Sequence, residues 1–193
     1  TIVTQTPPAP DLNTLLRLFY PDDTEFGEVT TVMRDALPAI PQRLLAHEHH
    51  MTVTVEAHHN SPVDVQVIET LLEDPFYSRR ILLTRQTDQT VVQFGIVRLN
   101  FEFLEPHVQQ EIIAETTPLG RILINQNVLR RVELAQLLKI KVGTDLADLF
   151  SIQSGTTVYG RTARIYCNGE PAIELLEVVT PESVSDNSAK TDP

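Results

Sequence analysis

The sequence predicts an α+β domain in which helices gather on one side of an antiparallel sheet. Apolar residues make up 41% of the 193 residues, which is enough for one sizeable core. Apolar segments of strand length come in pairs joined by short connections, as in hairpins. Strands and helices do not alternate regularly along the chain, so a parallel sheet is not expected.

The two ends of the chain differ in composition from its middle. Residues 1–10 carry three prolines and are expected to form an extended arm. Residues 182–193 are polar, without an apolar period, and are expected to be a disordered tail. The folded part is therefore expected to be a single domain over residues 11–181.

The first third of this domain is expected to be mainly helical. Asp11 can cap a short helix, and further helices are expected over 30–37 and 40–47. Residues 51–58 (MTVTVEAH) alternate strictly between apolar and polar positions, so they predict a strand.

Hairpins dominate the remainder. Strands are expected over 78–85 and 91–101, which a five-residue connection separates. Two more, over 157–167 and 172–179, flank Asn168 and Gly169, a pair that favours a tight turn. Helices are expected between these hairpins, over 105–115, 118–125, 128–138 and 145–150.

Charge narrows the choice of partners. The net charge is −11 and the pI about 4.9, which argues against nucleic-acid binding because that requires clustered basic residues. No apolar run approaches the roughly 20 residues that span a bilayer, and the first residues lack the pattern of a signal peptide. A cytoplasmic protein with a small-molecule partner is expected.

Cys167, the single cysteine, is expected to be a buried thiol.

A histidine cluster is the first candidate site. Five histidines occur between His47 and His59, with two glutamates nearby. If residues 51–58 form a strand, His58 and His59 point to opposite faces, so the ligands of a metal would not converge. We therefore expect a solvated turn and no metal site.

Two pairs of charged residues interrupt apolar strands. Arg79 and Arg80 face opposite sides of their strand, and one of those sides should be core. A buried arginine needs an anionic partner, which is either a structural carboxylate or a ligand. Glu174 and Glu177 also face opposite sides, and periodicity does not decide which of them is buried because both faces are otherwise apolar.

The segment TTPLGR at residues 116–121 is a turn followed by a helix. Backbone N–H groups at such a junction attract anions. Together with SRRILL before it and NGEPAIELLEVVTP after it, this segment resembles the chorismate lyase family, in the branch typical of photosynthetic organisms. The resemblance covers roughly residues 38–181 and implies a six-stranded antiparallel sheet with helices over a closed ligand cavity.

The resemblance also implies an activity and a site. The activity is elimination of pyruvate from chorismate to give 4-hydroxybenzoate for plastoquinone-type quinone synthesis, without a metal or other cofactor. The implied catalytic residues are Glu177 and Arg79, with Arg79 also binding a substrate carboxylate. Backbone groups at Leu119 and Gly120, and less clearly at Ile40, would bind the substrate. Glu174 is the less favoured acid, and whether Glu177 acts as acid, base or orienting group is left open.

Two other classes of function stay open. Effector-binding domains of transcription regulators share this fold, so the chain could be a non-catalytic sensor that binds a small aromatic carboxylate. A metal-handling protein that uses the histidine cluster is the third alternative.

Overall fold

The computed structural model describes residues 7–182 of the chain. Of the tail expected over 182–193, only residue 182 lies within the described range, and residues 1–6 of the arm expected over 1–10 lie outside it. Within the described residues, no helix is long and apolar enough to cross a membrane.

One seven-stranded sheet forms the centre of the domain, and each strand runs antiparallel to its neighbours. In chain order the strands are β1 Gly27–Val32, β2 Val63–Glu73, β3 Phe76–Arg85, β4 Val91–Asn100, β5 Arg130–Val142, β6 Thr157–Cys167 and β7 Glu170–Val179. Their order in space is β1-β5-β6-β7-β4-β3-β2. The predicted antiparallel α+β class is confirmed, with one strand more than the six implied by the resemblance.

Helices cover both faces of the sheet, not one face as expected. In chain order they are α1 Leu12–Arg17, α2 Asp23–Phe26, α3 Ala39–Leu45, α4 Met51–His59, α5 Pro106–Ile113, α6 Leu119–Asn125 and α7 Thr144–Phe150. Apolar side chains of α1, α2 and α7 pack on one face, called here the outer face. Those of α3 to α6 pack on the other, called here the inner face. The central strands are apolar on both sides, so both sides require cover.

The strand predicted over residues 51–58 is wrong, because this segment is helix α4. Its buried residues are Met51, Thr52 and Val55, which lie on one side of a helix. Asn60 ends the helix in the left-handed conformation, with φ of 48°. Alternating threonine and valine favour a strand only weakly, and packing against the sheet outweighs that preference.

The helix predicted over residues 128–138 is also wrong, because residues 130–138 belong to β5. The pairing of β5 with β6 shifts between Leu134 and Gln136. Such a bulge adds a residue to one strand and breaks the alternation of faces. The apolar spacing of the segment therefore imitates a helical period.

The edge strands were not predicted. Residues 30–37, expected to be helical, form the end of β1 and a short 3₁₀ turn at Arg34–Ala36. Strand β2, at the opposite edge, is largely exposed and carries a bulge between Val67 and Glu69. An edge strand pairs on one side only and buries little apolar surface, so its sequence signal is weak.

Arg80 lies on the outer face, opposite to Arg79, as predicted. Its guanidinium donates to the Asp145 carboxylate at 2.9 Å and to the Tyr20 hydroxyl at 3.1 Å. The same hydroxyl donates to Asp145 at 2.5 Å. This network attaches β3 to α7 and to the chain after α1, so Arg80 has a structural partner for its charge.

Candidate functional site

A small cavity lies between the inner face of the sheet and the first residues of α4 and α6. Its volume is about 40 Å³, which is room for roughly three water molecules. The walls are mainly apolar and include Met51, Val65, Ile81, Leu83, Val97 and Leu175.

The floor of the cavity is ordered by strand register. Paired residues of β3, β4, β7 and β6 point to the same face and form three rows. Each row is written here in the strand order β3, β4, β7, β6. The first row is Arg79–Val97–Leu175–Ala163, the middle row is Ile81–Gly95–Glu177–Arg161, and the third row is Leu83–Gln93–Val179–Tyr159. Alternate residues of a strand share a face, so successive rows are about 7 Å apart. Each row contributes at least one polar side chain to the cavity.

Gly95 creates the hollow in the middle row. A Cβ atom built on it would lie 3.4 Å from the Ile81 side chain and 3.5 Å from the Leu176 carbonyl oxygen. These are ordinary contacts, so the backbone does not require glycine for space. Any side chain here would instead project from the floor and take up the cavity.

Arg79 in the first row is a buried cation without a carboxylate partner. The residue is 1% exposed. Its Nη1 donates to the Ile112 carbonyl oxygen at 3.2 Å, while its Nε has no hydrogen-bond partner within residues 7–182. None of the carboxylates described lies within 4.0 Å of its guanidinium. Burial lowers the pKa of this guanidinium, since a low-dielectric environment disfavours its charge.

Arg161 in the middle row is fully buried but does have a partner. Its Nε donates to the Glu177 carboxylate at 2.8 Å. Its two terminal nitrogens donate to the carbonyl oxygens of His47 and His49, at 2.8 and 2.9 Å. The guanidinium therefore fastens the segment between α3 and α4, here called the roof segment (residues 46–50), to the sheet.

Sequence reasoning missed Arg161. The available signal was an arginine inside the apolar strand TVYGRTARIYC. The strand pairing that places it opposite Glu177 includes a bulge between Ile165 and Cys167. Counting from the turn without that bulge would pair Arg161 with Leu176, on the other face.

The roof contains two histidines that are neutral at neutral pH. Burial, followed by the charge of Arg161, lowers the pKa of His47 to about 4. Burial and the Arg130 guanidinium lower the pKa of His50 to about 4. Arg130 Nε donates to His50 Nε2 at 2.8 Å, which requires an unprotonated nitrogen there. The positive charge around the cavity thus comes from arginines.

Gly120 brings the start of α6 close to the start of α4. A Cβ atom here would lie 2.9 Å from Thr52 Oγ1 and 3.2 Å from His50 Cβ. A side chain would force these two segments apart, so glycine keeps the roof closed. Leu119 and Gly120 are the first residues of α6, where backbone N–H groups lack partners within the helix.

Of the residues predicted to form the site, Arg79, Leu119, Gly120 and Glu177 line this one cavity. Ile40 does not line it; it borders a surface groove with Pro38 and Tyr159. Their roles in binding stay predictions.

The structure decides between the two candidate acids. Glu174 lies on the outer face, with oxygens 3.7 Å from Arg98 and 3.4 Å from Arg164. Glu177 is the acid at the cavity. The histidines of the cluster lie in the roof segment and at the end of helix α4, not on a strand. Within residues 7–182, no three side chains that could bind a metal converge.

The seven-stranded antiparallel sheet and its helices match the α+β fold of GntR-family effector domains, a chorismate lyase-like fold. PhnF from Mycobacterium smegmatis has this fold with 12% sequence identity and a TM-score of 0.52, over 67% of this chain and 62% of the PhnF chain. The separate effector domain of PhnF matches with 12% identity and a TM-score of 0.52, over 68% of this chain and 88% of that domain.

A GntR-family transcriptional regulator from Bacillus cereus is also similar, with 11% identity and a TM-score of 0.44, over 67% of this chain and 99% of that one. At such identities the likeness is one of fold. No protein-family model and no curated protein matches the sequence.

The expectation of a lyase is wrong. A solved structure that shares this fold and whose name states a role is the effector domain of PhnF, which is not named as an enzyme. Four of the five implied site residues, all but Ile40, line the cavity. Glu177, the implied catalytic acid, forms an ion pair with Arg161.

Stability should fall as the pH falls from about 7 to 5, because unfolded histidines, with a pKa of 6.5, take up protons that folded His47 and His50 do not. A His50→Gln variant should lose less stability over this range. Urea denaturation at several pH values measures the effect. Exposed His107 supplies the control, and an equal change in a His107→Gln variant would contradict the assignment.

Proposed function

We propose that this chain is a ligand-sensing domain that binds a small aromatic carboxylate in the cavity on the inner face of the sheet. The observation that carries the proposal is Arg79, a buried guanidinium at the cavity with no carboxylate partner and an unpartnered Nε. The Tyr77 hydroxyl and the Glu115 carboxylate favour its charge but do not offset the effect of burial. A buried charge that is only partly compensated is unfavourable, so it is retained where an anion binds it.

A carboxylate is the anion that suits this position. A guanidinium and a carboxylate can form two parallel hydrogen bonds, which fix orientation as well as charge. The walls next to Arg79 are side chains such as Val97 and Leu175, and they accept a flat apolar ring. 4-Hydroxybenzoate combines both features and is the product of the family that the sequence resembles.

Binding would have to open the cavity. Its 40 Å³ is well below the roughly 150 Å³ of a protein cavity that accepts benzene. The floor is the interior of a seven-stranded sheet and cannot recede. Within the described residues, the roof segment is held to the sheet only by hydrogen bonds from side chains, those of Arg161 and the one from Arg130 to the neutral His50, so it is the part that can move.

This requirement favours sensing. Such a ligand binds the domain only when the roof segment has moved. Because its affinity for this opened state is higher than for the closed one, binding raises the population of the opened state. The displaced segment joins α3 to α4, so occupancy of a buried site reaches the surface.

The test is a thermal unfolding titration with 4-hydroxybenzoate. The midpoint should rise with concentration, because a ligand that binds only the folded state adds about 2.7 kcal/mol at one hundred times its Kd. Phenol, which lacks the carboxylate, should have no effect, and chorismate should release no pyruvate. Equal stabilisation by phenol would contradict an anion-binding cavity.

An Arg79→Met variant should bind 4-hydroxybenzoate at least about 30-fold more weakly, since losing a buried charged partner costs about 2–5 kcal/mol. The unliganded variant should be as stable as the parent or more so, because an uncompensated buried charge is removed. Calorimetry and urea denaturation measure the two effects. Arg98→Met, on the outer face, is the matched control. Lower stability together with unchanged affinity would make Arg79 a structural residue.

A Gly95→Ala variant should fill the hollow of the middle row without disturbing the sheet. Stability should hold or rise by up to about 1 kcal/mol, since alanine restricts the unfolded chain. Affinity for 4-hydroxybenzoate should fall about tenfold or more, because overfilling a packed site costs about 1–3 kcal/mol. Gly95→Val should weaken binding further, and full affinity in both variants would place the ligand elsewhere.

A further inference from the structure

Gln93 is a second polar side chain at the cavity whose hydrogen bonding is incomplete. It lies in the third row and is 3% exposed. Its Oε1 is buried and has no hydrogen-bond partner within residues 7–182. Leaving a buried acceptor unpaired is unfavourable, so this amide, like Arg79, is suited to a partner from outside the chain.

The surroundings of Gln93 do not supply that partner. Its register neighbours are Leu83 on β3 and Val179 on β7, and both are apolar. The charged pair of Arg161 and Glu177 occupies the row between Gln93 and Arg79 and is already engaged with itself and with the roof carbonyls. A donor that reaches Gln93 must therefore come from within the cavity.

Gln93 and Arg79 mark opposite ends of the floor. Two row spacings separate them, which is about 13 Å along the strands, and both side chains project into the cavity and shorten that gap. A para-substituted benzoate carries its two polar groups at opposite ends of the ring. Its carboxylate at Arg79 directs the para substituent toward Gln93.

We propose that Gln93 determines specificity by accepting a hydrogen bond from a hydroxyl or amino group on the ligand, at the end opposite the carboxylate. This inference rests on the proposed function, because it assumes that Arg79 holds the carboxylate. It adds a requirement that Arg79 alone does not impose. The site selects a benzoate with a para donor over plain benzoate and over one with a para acceptor.

The experiment compares benzoate, 4-hydroxybenzoate, 4-aminobenzoate and 4-methoxybenzoate by calorimetry on the full chain. The parent protein should bind the hydroxy and amino compounds about fivefold to tenfold more tightly than benzoate, which is the range for one buried hydrogen bond. The methoxy compound has no donor and should bind no better than benzoate.

A Gln93→Leu variant separates specificity from binding. It should bind benzoate as tightly as the parent does, while the preference for the hydroxy and amino compounds disappears. Retained benzoate affinity also shows that the variant is folded. Gln66→Leu, an exposed position on β2, is the matched control and should keep the full preference.

Two results would overturn the inference. One is a parent protein that binds benzoate and 4-hydroxybenzoate equally, so that Gln93 makes no selective bond, or one that prefers the methoxy compound because the amide presents its NH₂ group. The other is a Gln93→Leu variant that retains the preference. In both cases benzoate still binds through Arg79 and the proposed function stands. If no benzoate binds the parent protein, the proposed function fails and the inference fails with it.

Discussion

The buried ion pair of Arg161 and Glu177 connects the two layers of this domain. A pair of charges in a protein interior is stable only with close geometry and further hydrogen bonds. Here the additional bonds go to two carbonyl oxygens of the roof segment, at His47 and His49. The same guanidinium therefore compensates Glu177 and holds the roof against the sheet. The small volume of the cavity follows from this attachment.

Arg79 and Arg161 lie in adjacent rows of the inner face, but their guanidinium groups have different partners. Arg161 has a carboxylate and two carbonyls, whereas Arg79 has a single carbonyl of α5. A fold under selection for stability alone would place an apolar side chain at Arg79. Proteins keep such unfavourable groups mainly where they bind something. The contrast between the two arginines separates the structural charge of the site from the one available to a ligand.

The neighbouring groups are consistent with this division. His50, kept neutral by burial and by Arg130, adds no positive charge to the roof. An incoming anion therefore meets the guanidinium of Arg79, which has no carboxylate within 4.0 Å among the described residues, instead of a diffuse basic surface. Gly95 leaves space beside it, and Gln93 leaves an acceptor beyond it. Selectivity in such a site comes from a few polar atoms at fixed separations, and the rest of the wall only excludes water.

The sequence by itself determined the antiparallel α+β class, the hairpin around Asn168 and Gly169, and the opposite faces of Arg79 and Arg80. These features depend on local turn chemistry and on the two-residue period of a strand, and both can be recognised from a few consecutive residues. Four of the five site residues implied by the resemblance to the chorismate lyase family line one cavity, with Ile40 the exception.

Only the tertiary structure decided that residues 51–59 form a helix, that Glu177 and not Glu174 faces the cavity, and that Arg161 is its partner. Each of these outcomes depends on long-range pairing. A bulge of one residue moves every following side chain to the other face of the sheet, and the bulge before Cys167 is fixed by contacts between strands, not by the residues within either strand.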